Sequence, residues 1–306
     1  MWQLGFGTWQ IPTDVCAEVV YQAIKNGYRH IDGAAIYQNE KECGQGVKRA
    51  IDEGIIKRED VFITTKLWNC YHNAEIVKDV CERQLKEWGL DYFDMYLIHF
   101  PIALEYVPID KKWPPHYFWR NLDDKMVVDE KAQYKPVYQA MEALVDAKLV
   151  RSIGVSNLKA EWLQTILNEC RVKPANIQNE CHPQKIDKDV FDLCQKEGIA
   201  FTAYSSLGGT NYRKDGKVWE DNFLQYKEVG DLATKYGKTV QQIALKWAVQ
   251  RGMIIIPKSV NTDRMIQNRS ITDFNLTEEE MNVITGFNKD IVYNQLPTPW
   301  EFHWTR

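Results

Sequence analysis

The stretch Arg29-His30-Ile31-Asp32-Gly33-Ala34-Ala35-Ile36-Tyr37-Gln38-Asn39-Glu40 decides how the rest of the chain is read. A short strand-like run, residues 28–31, ends in a carboxylate, and a tyrosine follows five residues later. Asn39 and Glu40 suit the opening of a helix, where a polar cap and an acid meet orphan N–H groups and the positive end of the dipole. An acid and a phenol where a strand hands over to a helix are the equipment of a βα loop, and in a βα barrel chemistry sits on such loops. Alone the pattern is common, since an Asp beyond a strand is usually a turn or cap residue. Two later runs end in matching fashion, Val61-Phe62-Ile63-Thr64-Thr65-Lys66 and Met95-Tyr96-Leu97-Ile98-His99. Three successive strand ends thus offer Asp32 with Tyr37, then Lys66, then His99.

Outward from these runs the chain alternates. Leu4 to Trp9 reads as a first strand. Thr13 is expected to cap a helix with Cys16, Val19, Val20, Ala23 and Ile24 on one face and Gly27 beyond its end. Helices are expected at about 39–51, 73–88, 137–147, 161–169, 187–196 and 264–268, and strands at 61–65, 93–98, 149–155, 175–178, 199–203 and 253–256. Thr239 with Gln242, and Thr277 with Glu280, form capping boxes that open two more helices. Residues 100–134 break the rhythm with prolines and aromatic side chains, and a loop this long is usually functional. An aromatic tail with Tyr293, Trp300, Phe302 and Trp304 closes the chain. Eight strands alternating with helices predict an α/β fold, a single (β/α)8 TIM barrel over residues 1–306 with long active-site loops. The competing doubly wound sheet lacks its phosphate fingerprint, because Gly5-x-Gly7 and Gly44-x-Gly46 have no third glycine.

Bulk properties narrow the class. Hydrophobic content of 44% and aromatic content of 12% support a large packed core, and a net charge of −4 gives no hint of a nucleic-acid or basic membrane surface. Seven scattered cysteines without a CxxC pair imply reduced thiols in a cytoplasmic protein rather than a disulfide framework or a zinc site. The N-terminus does not read as a signal peptide, and no apolar run approaches the ~20 residues of a membrane span. His72, His116 and His303 lack ligand spacing, so no metal is expected, and His182 reads as a packed residue.

A neutral phenol is a poor acid near neutrality, with a reference pKa of about 10. An ammonium beside it would lower that value, and an Asp beside the Lys would keep the Lys charged. With His99 orienting a carbonyl, Asp32, Tyr37, Lys66 and His99 would make a device for protonating an alkoxide as it forms, which requires a hydride from a cofactor.

At this point the residues resemble the aldo-keto reductase superfamily, whose catalytic tetrad Asp32, Tyr37, Lys66 and His99 match in order. Gly154-Val155-Ser156-Asn157 is similar to the turn that holds the nicotinamide carboxamide, with Gln178 as its partner. Tyr204 resembles the ring that stacks on the nicotinamide, and Ser205 and Leu207 follow in a segment suited to pyrophosphate contacts. Ile256-Pro257-Lys258-Ser259, with Arg264 and Asn268, resembles a site for the adenosine 2′-phosphate and adenine. Within the family, the segments around His99 and Gln267-Asn268-Arg269-Ser270 are closest to D-xylose (aldose) reductases. The resemblance implies NADPH as cofactor, NADH being weaker, a small-molecule carbonyl substrate, and a monomer or homodimer. Trp9, Ile36, Trp68, Phe100, Asn294 and Trp300 are then expected to line the substrate, Asn294 bonding a sugar hydroxyl.

Three departures stand against the family pattern. Ile36 replaces the acid usual in xylose reductases, Val260 replaces the Asn common where both cofactors are accepted, and the N-terminal hairpin that closes the barrel floor is not seen. The alternatives are a reductase of non-sugar aldehydes or ketones, and a nicotinamide-sensing binding protein. An intact tetrad favours an enzyme.

Overall fold

The computed structural model describes residues 1–114, 127–211, 213–214, 217–218 and 221–294. Strands β1 (Phe6–Gly7), β2 (His30–Asp32), β3 (Phe62–Leu67), β4 (Met95–Ile98), β5 (Ile153–Ser156), β6 (Asn176–Glu180) and β7 (Ala200–Tyr204) follow one another in a single sheet. β8 (Arg213–Lys214) and β9 (Lys217–Val218) form a separate antiparallel pair, and β10 (Ile254–Ile255) joins β7 as the eighth strand of the main sheet. Strands β2 to β5, and β7 with β10, pair in parallel. Eight strands in chain order with helices between them are the (β/α)8 barrel that the alternation predicts.

The helices are α1 (Thr13–Lys25), α2 (Glu40–Asp52), α3 (Val77–Trp88), α4 (Tyr134–Asp146), α5 (Ala160–Glu169), α6 (Lys188–Glu197), α7 (Lys227–Tyr236), α8 (Val240–Gln250), α9 (Thr262–Arg269) and α10 (Glu278–Thr285). α7 and the small β8–β9 pair have no counterpart in the sequence reading. α7 buries only Val229 and Ala233, so its apolar stripe is too thin to stand out, although Gly237 at φ +61° marks its end.

The described residues group into two compact units, residues 8–177 and residues 1–7 with those from 178 onward. In the first, every residue of β2 and β4 is buried and β3 is buried from Ile63 on, as parallel strands covered on both faces require. Their register aligns Asp32 with Thr64, Lys66 with Leu97 and Leu67 with Ile98, so the carboxyl ends of three neighbouring strands end side by side. α1 buries the face expected of it, and Gly46 of α2 lies so close that a Cβ there would stand 2.5 Å from the Ala17 carbonyl oxygen. Two caps differ from expectation. Thr13 is the first helical residue of α1 rather than its cap, and the Asn39 side chain leaves the α2 terminus to donate to the Thr8 and Ile11 carbonyls. These tertiary bonds tie the loop after β1 to the start of α2, which has no side-chain cap.

In the second unit Ile254 and Ile255 pair with Thr202 and Ala203, and Leu4 bridges to Ile255. The capping boxes Thr239–Gln242 and Thr277–Glu280 open α8 and α10 as expected. Asn261 caps α9 by accepting from the Arg264 N–H at 2.9 Å.

Candidate active site

Within residues 8–177 the ends of β2, β3 and β4 bring Asp32, Lys66 and His99 together, and a single 3-10 turn at Ala35–Tyr37 returns Tyr37 to them. Lys66 Nζ donates to Asp32 Oδ1 at 2.6 Å, to the Gly33 carbonyl at 2.9 Å and to the Tyr37 hydroxyl at 3.3 Å. The Tyr37 and His99 rings stand edge to face with centroids 5.8 Å apart. Lys66 and Asp32 are almost wholly buried, 0% and 1% exposed, so neither charge is balanced by solvent.

The electrostatics correct one expectation. Tyr37 keeps some exposed surface, yet burial of its hydroxyl end raises the phenol well above its ordinary pKa, and the charges of Asp32 and Glu40 raise it further. The ammonium of Lys66, which lies nearer to Asp32 than to the phenol, does not set the net direction. Burial lowers Lys66 itself, against the opposing pull of Asp32. His99 is pushed well below the ordinary imidazole value by burial first, then by Lys66 and His72, and its buried Nδ1 has no hydrogen-bond partner among the described residues. The cluster therefore holds a neutral phenol, a neutral imidazole and an ion pair, which can deliver a proton and orient a polar oxygen.

Apolar rings wall this cluster. Phe100 stacks on His99 at 4.7 Å, and Trp68 meets His99 edge to face at 5.3 Å. Ile36 is buried beside Tyr37 in the same turn, and Trp9 is half-buried beyond β1. Trp300 lies outside the described residues. At the end of β5, Ser156 is buried, and Asn157, at φ +59°, donates to the His99 carbonyl at 2.8 Å and to Ser156 Oγ at 3.0 Å.

The remaining expected residues belong to the second unit. Gln178 is buried in β6, Tyr204 ends β7 half-buried, and Ser205 turns the chain at φ +54° ahead of Leu207. Lys258 is half-buried, Ser259 and Asn268 are buried, and Arg264 is exposed on α9. Among the described residues neither Lys258 nor Arg264 has an ion-pair partner, and burial lowers the Lys258 pKa. Asn294 donates through Nδ2 to the Tyr204 hydroxyl at 3.1 Å, a contact absent from the sequence reading.

Sequence reasoning also missed the residues that hold these. Glu180 accepts from the Tyr293 and Asn294 N–H groups at 2.7 and 3.1 Å, and faces His182 Nε2 at 3.0 Å. His182 is buried against Tyr293, which agrees with a packing role. Glu40, read as a helix-opening acid, is 5% exposed and accepts from Thr65, Gln84 and Trp88. No spacing could reveal a partner 48 positions away. No group of described residues could hold a metal ion, and no described helix is long and apolar enough to cross a membrane.

Comparison with known proteins adds the lineage. The aldo/keto reductase family model matches residues 1–289. A probable NAD(P)H-dependent D-xylose reductase of Aspergillus clavatus is 46% identical over 295 residues, covering 95% of this chain and 88% of that protein. An NAD(P)H-dependent D-xylose reductase of Pyricularia oryzae is 43% identical over 296 residues, covering 96% and 91%. Among solved structures, the aldose reductase of Schistosoma japonicum superposes with a TM-score of 0.84 at 35% identity, covering 94% of this chain and 90% of that one. The model spans every strand that carries Asp32, Lys66 and His99, and the relatives match nearly end to end, so the chain is an oxidoreductase belonging to the aldo/keto reductase family.

Proposed function

We propose that this chain reduces aldehydes to alcohols with NADPH, open-chain aldoses such as D-xylose among its substrates, and that Tyr37 is the proton donor. The observation that carries this reading is the Tyr37 hydroxyl lying 3.3 Å from Lys66 Nζ, which is itself 2.6 Å from Asp32. A reduced nicotinamide supplies the hydride when bound. Tyr37, neutral because burial holds its proton, donates it to the carbonyl oxygen as negative charge develops there. Lys66 then stands beside the phenolate that remains, and Asp32 keeps the ammonium in place. His99, kept neutral by burial, orients the carbonyl oxygen by hydrogen bond. Trp68 and Phe100 exclude water from this side of the cluster.

Ser156, Asn157 and Gln178 would hold the carboxamide, and the Tyr204 ring would lie on the nicotinamide. Lys258 and Arg264 would take the 2′-phosphate and favour NADPH over NADH, with Ser259 and Asn268 beside them. An apolar wall with Ile36 in it favours less polar aldehydes, whereas Asn294, through its remaining carbonyl oxygen, suits a sugar hydroxyl. The reading therefore includes aldoses at high KM and better kcat/KM on simple aldehydes. All seven cysteines are free thiols, which suits a reducing cytoplasm, with the protein acting as a monomer or homodimer on small carbonyl compounds.

The test follows NADPH oxidation with D-xylose, other aldoses and an aromatic aldehyde. Tyr37→Phe should lower kcat at least ~10²-fold, while NADPH still quenches tryptophan fluorescence. Near-normal turnover in that variant would overturn the reading.

A further inference from the structure

Behind the catalytic cluster lies a second buried carboxylate. Glu40 opens α2, where an acid meets the helix dipole favourably. Its Oε1 accepts from Thr65 Oγ1 at 2.5 Å, from Trp88 Nε1 at 2.8 Å and from Gln84 Nε2 at 3.1 Å, and its Oε2 accepts from Gln84 Nε2 at 3.1 Å. Trp and Gln N–H groups can only donate, so the site is built for an acceptor-only carboxylate. The donors reach the cluster. Gln84 also donates to the Lys66 carbonyl at 3.3 Å. The Trp88 ring fills the space in front of Gly33, where a Cβ would stand 2.7 Å from Trp88 Cζ2, and the Gly33 carbonyl accepts from Lys66 Nζ at 2.9 Å. Glu40 is thus tied through two side chains to the backbone on either side of the Asp32–Lys66 pair.

Its charge is also distinct from that of Asp32. Lys66 neutralises Asp32 at 2.6 Å, whereas Glu40 has no ion-pair partner among the described residues. The groups around Tyr37 are Asp32 from β2, Lys66 from β3 and His99 from the end of β4, and Glu40 of α2 adds a second negative charge that acts on it through space. Burial raises the pKa of Glu40 itself, while its bonds from Thr65, Trp88 and Gln84 and the charge of Lys66 pull it back toward the ionised form.

We propose that Glu40 is a positioning residue for the reduction, clamping through Thr65, Gln84 and Trp88 the strand ends that carry Asp32 and Lys66. This rests on Tyr37 being the proton donor. A negative charge makes a neighbouring phenolate costly and a neighbouring ammonium favourable, so the same carboxylate adds to the burial that holds the phenol neutral.

Glu40→Gln keeps the shape and removes the charge. The alkaline limb of the pH profile of kcat/KM, where Tyr37 loses its proton, should move to lower pH by on the order of one unit, the effect of one charge across a buried site. Thr65→Val removes one donor and keeps the charge, so its alkaline limb should stay in place while kcat falls several-fold at unchanged aldehyde KM. A purely structural role would lower the melting temperature of both variants and leave limb and kcat where they are, and that result overturns the proposal. If Glu40→Gln cannot be purified, an unchanged kcat in Thr65→Val overturns it as well. Tyr37→Phe in the same assay separates the two levels. A dead Tyr37→Phe with an unchanged kcat in Thr65→Val sinks this inference alone, whereas an active Tyr37→Phe sinks both.

Discussion

Lys66 is the residue on which the catalytic cluster turns. Its ammonium is wholly buried and touches Asp32, Gly33 and Tyr37. Removing one member of a buried pair leaves the other charge uncompensated, at about 3–5 kcal/mol. Lys66→Met should therefore cost stability of that order, read as a lower urea midpoint, and should lower kcat because no cation remains beside the phenolate. A variant as stable as the parent would mean that Asp32 takes up a proton without cost. In the second unit, Lys258 and Arg264 have no carboxylate partner among the described residues. Each charge-assisted bond to a phosphate is worth roughly 1.5–3 kcal/mol, about 10- to 150-fold in affinity. Lys258→Met or Arg264→Ala should raise KM for NADPH within that range and leave KM for NADH nearly unchanged. Equal effects on both cofactors would remove these residues from the 2′-phosphate.

Elements place these side chains through close backbone approach. The carboxyl ends of β2, β3 and β4 lie level because Asp32 pairs with Thr64 and Lys66 with Leu97, and a slip of one residue would turn Lys66 to the opposite face. Behind them α2 meets α3 where Gly44 faces Trp88, and a Cβ there would stand 2.3 Å from the Trp88 carbonyl oxygen. A backbone atom cannot rotate away, so Gly44→Ala should destabilise by about 1–3 kcal/mol. It should also impair turnover, since it displaces the helix that holds Glu40. Gly230 in α7 is the contrasting case, a helical glycine with open space where its Cβ would be. Gly230→Ala should stabilise by about 0.5–1 kcal/mol. Urea midpoints measured side by side check both signs; a destabilised Gly230→Ala would contradict the contact-free surroundings.

At the scale of the molecule, buried histidines couple stability to acid. Burial holds His72 down to about 3, and it lowers His99 and His182 as well, the latter against the pull of Glu180. The unfolded chain takes up protons on these imidazoles near pH 6.5 and the folded chain resists them. Stability is therefore whole above about pH 6.5 and falls as pH drops below it, at up to about 1.4 kcal/mol per pH unit for each such histidine. Urea midpoints at about pH 7.5, 6.5 and 5.5 should be flat over the first interval and fall over the second. A flat response over both would show these imidazoles protonated in the folded state or relieved by local opening.

What the sequence determined by itself is what local chemistry and periodicity can carry. Alternating apolar runs with turn residues between them specified eight strands and their helices, and Gly27 and the Thr239 and Thr277 boxes marked ends that the structure keeps. The order Asp32, Tyr37, Lys66, His99 was legible because each stands at the end of, or just beyond, a strand whose period ends there. α7 was not, since a helix that buries two side chains has almost no apolar stripe to read. The direction of the Tyr37 shift was decided only by tertiary structure. An ammonium nearby predicts a lowered pKa, but the fold buries the phenol and brings the charges of Asp32 and Glu40 to bear on it. Glu40 likewise reads as a helix-opening acid until α3 delivers Trp88 and Gln84 to it, and the bond from Asn294 to Tyr204 of β7 is written nowhere in the residues beside either. Hydrogen-bond partners and desolvation are properties of residues distant in sequence, and the chain's local pattern holds no record of which of them meet.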